Sequence, residues 1–272
     1  MQKILILLII LISASSWAIA SIFIWQKNIK TSTIDNLSIK SLENNITSLV
    51  KKVSPSVVSI IIKKDIDIYR QDPWGFFQYN IWSVSKKVWG WTGFFISKDW
   101  IIITNKHVIA DRNAKYSVIL NNWKEYEAEV IAIKKDKDIA FLQILSTARS
   151  NPLWNFYPLK FIKKKENLKL WQFAIAIWNA LAEFQNSVSL WVVSWIDRKI
   201  EDNYTKISWL IQTDTAINPW NSGWPLINLD WKVMWINTMI INWSQNIGFA
   251  ISLTQDEIEE YIKKINNKWT AP

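Results

Sequence analysis

The sequence predicts an all-β chain, a barrel or sandwich, closed by one helix. Short β-branched runs bounded by turn residues follow one another from Val57 onward. The stretch Asn151–Asn167 divides these runs into two groups, and a capped amphipathic segment ends the chain. The first group is Val57–Ile62, Thr92–Ser97, Ile101–Thr104, Tyr116–Leu120, Glu125–Ile133 and Ile139–Ile144. The second is Phe173–Ile177, Val188–Ile196, Leu210–Thr213, Pro225–Asn228, Lys232–Ile241 and Asn246–Ser252. Between Asp65 and Val88 no period emerges, and this aromatic-rich stretch reads as a long surface loop. Near the end, Thr254-Gln255-Asp256-Glu257 has the form of a capping box. Ile258, Tyr261, Ile262 and Ile265 then line one face of a helix over about 255–267.

Upstream of the strands, Ile4 to Trp25 is apolar, with Lys3 before it and Lys27 and Lys30 after. Its 22 residues would extend roughly 33 Å as a helix, enough to cross a bilayer core. Ala18-Ile19-Ala20 would serve as a signal-peptide cleavage site, but the apolar run continues past it. An uncleaved signal anchor over 1–25 is therefore expected, with a secreted, cleaved form as the alternative. Either form puts the remainder outside the cytoplasm. Residues 26–48 are polar with isolated isoleucines and read as a tether. The folded domain is then 49–272, with strand groups over about 49–150 and 160–253.

Composition removes several functions. Without cysteine there is neither a disulfide nor a thiolate metal site, and a single histidine rules out a multi-histidine metal site. No cofactor is expected. The formal net charge of +9 rests mostly on dispersed lysines, with four arginines (Arg70, Arg112, Arg149, Arg198). Nucleic-acid binders favour arginine and cluster their charge, so a nucleic-acid partner is not expected.

The anomaly is 20 tryptophans beside 5 glycines in 272 residues. Ordinary chains carry roughly 7% glycine, and tryptophan is rare in them. Trp100, Trp123, Trp231 and Trp243 each follow Asp or Asn between strand-like segments. Asp-Gly and Asn-Gly are preferred there because hairpin turns need positive φ. A residue with a Cβ is penalised by roughly 1–2 kcal/mol in that region. The expectation is that many of these tryptophans are glycine in the living cell, through a UGA codon read as glycine. The rival is real indole, serving as core or as a stacking platform.

Three segments carry chemistry: Thr104-Asn105-Lys106-His107-Val108-Ile109-Ala110-Asp111, Lys137-Asp138-Ile139-Ala140, and Asn218-Pro219-Trp220-Asn221-Ser222-Gly223-Trp224-Pro225-Leu226. A serine hydroxyl becomes a useful nucleophile only beside a base. An imidazole suits that task, and a carboxylate fixes its tautomer. The order His107, Asp138, Ser222 is that of chymotrypsin-like enzymes.

With glycine read for tryptophan, the third segment becomes Asn-Pro-Gly-Asn-Ser-Gly-Gly-Pro-Leu and resembles the nucleophile motif of the HtrA/DegP family of trypsin-like serine proteases. The first two segments are similar to that family's histidine and aspartate motifs. Trp89-Gly90-Trp91-Thr92-Gly93-Phe94, Leu210–Asp214 and Ile247–Ile251 also match, so the likeness covers about 47–265. Thirteen tryptophans (89, 91, 100, 123, 171, 178, 191, 195, 220, 224, 231, 235 and 243) stand where the family has or tolerates glycine. Trp17, Trp25 and Trp82 have no such match.

The resemblance implies two six-stranded antiparallel barrels and a Ser-His-Asp endopeptidase acting on unfolded or damaged extracytoplasmic proteins. His107 would be the general base and then acid, Asp138 its orienting partner and Ser222 the nucleophile. The backbone N–H groups of Trp220 and Ser222 would form the oxyanion hole. Main chain at Ile236, Asn237 and Thr238 would pair with the substrate as an added strand. The resemblance also implies a homotrimer and no metal. Asp65–Val88 would occupy the family's regulatory-loop position. Relatives usually carry PDZ domains after the protease; this sequence ends at Pro272, so a protease domain without PDZ is expected. The alternative function is a catalytically inactive holdase on the same fold.

Overall fold

The computed structural model describes residues 21, 38–71, 78–111, 113–145, 156–165, 168–180, 184–201, 206–214, 222–240 and 248–269. Met1–Ser48 and Leu49–Pro272 form two separate compact units. In the first, residues 38–48 are helical. The expected tether thus ends in a helix, and its signal is Leu42 and Ile46, half-buried and four residues apart. Apart from Ser21, the expected membrane segment, residues 4–25, lies outside the described residues. Among the described residues no helix is long and apolar enough to cross a membrane.

The second unit is two barrels and a helix. Strands β1 (Val57–Gln71), β2 (Gln78–Phe95), β3 (Ile101–Thr104), β4 (Lys115–Ile119), β5 (Glu125–Ile133) and β6 (Ala140–Ile144) close in the order β1-β2-β3-β6-β5-β4. Val58, Ile60, Phe95, Ile102, Val118 and Leu142, all fully buried, fill this barrel. The later strands are β7 (Lys160–Phe161), β8 (Phe173–Ala180), β9 (Phe184–Glu201), β10 (Lys206–Thr213), β11 (Pro225–Ile227), β12 (Lys232–Ile240) and β13 (Gly248–Ser252). They run β11-β8-β9-β10-β13-β12-β7, and the β11–β12 pairing closes six of them, all antiparallel, leaving β7 parallel to β12 outside the ring.

The expected long loop between Asp65 and Val88 is instead a ribbon. The β1–β2 register runs on to Gln71↔Gln78, with bulges after Ile62 and Ile68, and residues 72–77 lie outside the described residues. Beyond Ile62 the described side chains of β1 are largely exposed, so neither face needs apolar alternation and no period-2 signal is left to read. Ion pairs tie the ribbon base to β4, β5 and the turn before β4: Lys63–Glu125 at 2.5 Å, Lys64–Asp111 at 2.9 Å and Lys115–Asp65 at 2.9 Å.

Turn geometry bears directly on the tryptophans. Among the described non-glycine residues, those with positive φ are Trp100 (64°), Trp123 (65°), Trp171 (63°), Trp231 (65°) and Asp197 (60°). Trp123 and Trp231 close turns by donating main-chain N–H to Leu120 (2.9 Å) and Asn228 (3.1 Å). Trp243 lies outside the described residues. In the second barrel Trp224 and Trp235 are fully buried, yet neither indole N–H has a hydrogen-bond partner. An orphaned buried donor carries a desolvation penalty of about 1–3 kcal/mol.

Trp123 is 62% exposed and Trp171 80% exposed, so truncating them removes little packing. Trp123→Gly and Trp171→Gly are each expected to raise unfolding stability by about 1 kcal/mol through relief of left-handed strain. Denaturant midpoints check this, and an unchanged or lowered midpoint contradicts it.

Candidate active site

His107 stands in a single 3-10 turn, Lys106–Ile109, that follows β3 directly. Burial of Val108 and Ile109 pins the turn to the first barrel, while the His107 side chain keeps 40% of its exposure. Asp138 closes the bend ahead of β6. Its main-chain carbonyl accepts from the Asn105 carboxamide at 2.9 Å, which locks the bend to the histidine turn.

Three donors converge on the Asp138 carboxylate. Oδ1 accepts the His107 backbone N–H at 3.0 Å, and Oδ2 lies 2.7 Å from His107 Nδ1. Oδ2 also accepts the Thr238 hydroxyl at 2.6 Å. Burial pushes the Asp138 carboxyl up, but the hydrogen bond and charge of His107, then Thr238 and the His107 amide, outweigh it and hold the group below its ordinary value. With the Nδ1 proton directed at this carboxylate, Nε2 is left as a lone pair able to take a proton.

Ser222 lies in the turn before β11 and is buried. Its Oγ donates to the Thr238 carbonyl at 3.4 Å, a long contact. Thr238 therefore bridges the other two groups, its hydroxyl on Asp138 and its carbonyl toward Ser222. Among the described contacts, Ser222 and His107 are not hydrogen-bonded to each other. The Trp91 ring meets the imidazole edge-on, with centroids 5.6 Å apart. Trp220, the other expected oxyanion donor, lies outside the described residues.

Gly223 fixes the Ser222 turn. Its φ is +88°, and a Cβ there would stand 2.0 Å from the Thr92 carbonyl oxygen and 2.4 Å from Thr104 Oγ1. The Gly223 N–H donates to the Asn237 carbonyl at 3.0 Å, and Thr92 N–H donates to the Ser222 carbonyl at 3.3 Å. The Ser222 turn is thereby joined to β2 of the first barrel and β12 of the second.

Of the main chain expected to pair with substrate, Ile236 and Asn237 already have neighbours. Ile236 pairs with Pro225 on one side and Ile251 on the other. Asn237 N–H donates to Trp224, and Asn237 sits opposite Ala250. Both are filled on two sides, so an added strand can begin no earlier than Thr238. Sequence reasoning also missed the side-chain roles of Thr238 and Asn105. Asn105 is adjacent to His107 in a legible motif, whereas nothing local marks the Thr238 hydroxyl.

Comparison with known proteins bears on this geometry. The trypsin-like peptidase domain profile matches residues 91–234, which contain His107, Asp138 and Ser222. The chain belongs to the trypsin-like peptidase family. Serine protease HTRA1 of Xenopus tropicalis is 29% identical over 227 residues, 83% of this chain and 44% of that one. A probable periplasmic serine endoprotease, DegP-like, of Chlamydia pneumoniae is 37% identical over 170 residues, 61% of this chain and 33% of that one. Among solved structures, the HtrA-type protease AlgW with a decapeptide superposes with a TM-score of 0.62 at 25% identity, covering 80% of this chain and 66% of that one. This trypsin-like chain spans less than half the length of the curated relatives it matches.

Proposed function

We propose that this chain is a serine endopeptidase that cleaves unfolded or damaged polypeptides outside the cytoplasm. Ser222 is the nucleophile, His107 the general base and then the general acid, and Asp138 the group that orients the imidazole. The observation that carries the reading is the 2.7 Å contact between His107 Nδ1 and Asp138 Oδ2, with Ser222 linked to the same carboxylate through Thr238. As Ser222 Oγ attacks a peptide carbonyl, its proton passes to Nε2, and Asp138 stabilises the imidazolium that forms. The N–H groups of residues 220 and 222 hold the developing oxyanion, a donor of that kind contributing about 2.7–4 kcal/mol. The substrate lies as an added strand along Thr238–Ile240, where among the described strands β12 has only β13 beside it. Residues 4–25 anchor the enzyme in a membrane, and a homotrimer is its assembly.

The same proposal takes the thirteen tryptophans named above as glycine in the cellular protein. Positive φ at Trp100, Trp123, Trp171 and Trp231 supports it, as do the orphaned indoles of Trp224 and Trp235. With indole at position 91 the imidazole is flanked by a large ring, and Ser222 turns to Thr238. That contact favours a second reading for the chain as printed, a holdase that binds unfolded chains without cutting them.

The test is incubation of a permanently unfolded polypeptide with the glycine form and with its Ser222→Ala variant. Fragments that accumulate only with the parent support the protease. Protection from aggregation without cleavage by both proteins supports the holdase. Mass spectrometry of the cellular protein tests the glycine assignment through the peptide spanning position 231.

A further inference from the structure

We infer that Glu257, at the head of the C-terminal helix Gln255–Trp269, is a positioning residue for Asp138 and acts through Lys137. The inference rests on the reading of Asp138 as the group that orients His107.

Every contact made by Asp138 pulls it toward the site: Asn105 on its carbonyl, and His107 and Thr238 on its carboxylate. The bend that carries it, 135–138, is closed at its base by the Lys134 N–H on the Ile139 carbonyl at 2.9 Å, and a side chain holds its other side. Lys137, the adjacent residue, sends its ammonium to Glu257 Oε1 at 2.5 Å, with both side chains about three-quarters buried. Glu257 is fixed independently of Lys137. Its Oε2 accepts the Thr254 N–H at 2.7 Å and lies 3.6 Å from Lys165. Burial raises the Glu257 carboxyl, but Lys137, the Thr254 amide and Lys165 outweigh it, so the group stays charged at neutral pH.

The helix itself is seated firmly. Gln255 N–H donates to the Ile162 carbonyl, and Phe161 N–H donates to Gln255 Oε1, both at 2.8 Å. One turn on, Tyr261 carries the Lys134 ammonium 4.2 Å from its ring centroid and meets Phe141 edge-on. Positions 257 and 261 share a helix face. That face therefore grips the segment 134–141 on both flanks of Asp138. An exposed ion pair would add little. A largely buried pair set on a helix cap, one residue from the orienting carboxylate, instead sets geometry, and a misplacement of about 1 Å at such a group costs on the order of 100-fold in rate.

The test uses the full chain in its glycine form, with Glu257→Gln, Lys137→Met, their double variant and Lys264→Met, which breaks an exposed ion pair with Glu260 on the same helix. Gln at position 257 keeps the capping acceptor for Thr254, so the helix start is preserved. Two readouts are taken: kcat and KM on an unfolded polypeptide, and the NMR signal of the imidazole Nδ1 proton, which belongs to His107 alone because the chain has one histidine. Glu257→Gln and Lys137→Met are each expected to lower kcat about tenfold with KM within twofold. The double variant falls no further, and all three lose intensity in the Nδ1–H signal. Lys264→Met matches the parent in both readouts. The inference is overturned if folded Glu257→Gln keeps parental kcat and signal, or if Lys264→Met does the same damage. If the parent itself does not hydrolyse substrate, the protease reading fails, and the Nδ1–H signal still decides the positioning role: weakened in both single variants it stands, unchanged it falls.

Discussion

Asp138→Asn lowers kcat on an unfolded polypeptide by about 10⁴-fold, with KM changed by no more than a few fold. The carboxylate accepts on both oxygens: the His107 N–H on Oδ1, the His107 Nδ1 proton and the Thr238 hydroxyl on Oδ2. A carboxamide supplies one acceptor and one donor. If the NH₂ faces Nδ1, the imidazole must put its proton on Nε2, and the lone pair that serves Ser222 is gone. If the NH₂ faces the His107 amide, two donors meet across a 3.0 Å gap. The first orientation removes the base and the second sets two donors against each other at the turn that holds it, while the main chain of β12 keeps its pairing with β13. Steady-state kinetics on the glycine form read the effect directly. A loss below tenfold means that Asp138 does not orient His107.

Gly223→Ala is expected to cost about 3–5 kcal/mol of stability, with the reactivity of Ser222 lost alongside. The new methyl would meet the Thr92 carbonyl at 2.0 Å and Thr104 Oγ1 at 2.4 Å. Neither neighbour is free to retreat. Thr104 Oγ1 donates to that same Thr92 carbonyl at 2.8 Å, and the Thr92 N–H is held by Ser222. A φ of +88° adds strain for any residue with a Cβ. Relief requires moving the turn that carries Ser222 away from β2. Denaturant titration checks this, and a variant as stable as the parent would refute the close approach.

Barrel strands such as Ile101–Thr104 and Ala140–Ile144 were legible because their burial is nearly complete, so they stand out without any alternation. The β1–β2 ribbon was not, since its outer half faces solvent and selects no periodic pattern. The turns at Trp100, Trp123 and Trp231 were legible from the Asp or Asn before each one. Trp171 follows Leu170, and only family resemblance marked it. Of the site, the order His107, Asp138, Ser222 could be read from local motifs. The side chain of Thr238 could not, because its partner Asp138 lies 100 residues away and a hydroxyl on a buried strand carries no local signature. The neighbours of Ile236 and Asn237 were hidden for a related reason. Whether Ile236 and Asn237 offer free main chain depends on β11 and β13, which only the closed barrel brings alongside. Lys137 and Glu257, 120 residues apart, are equally invisible before folding.

The most direct test of the central claim is reaction of the folded glycine form with a fluorophosphonate probe, with Ser222→Ala as the blank. A serine labels only where a neighbouring base activates it. The expected result is stoichiometric labelling at Ser222, absent from the blank and from Asp138→Asn. A folded, monodisperse sample that takes up no label, or takes it equally in the Ser222→Ala blank, contradicts the account.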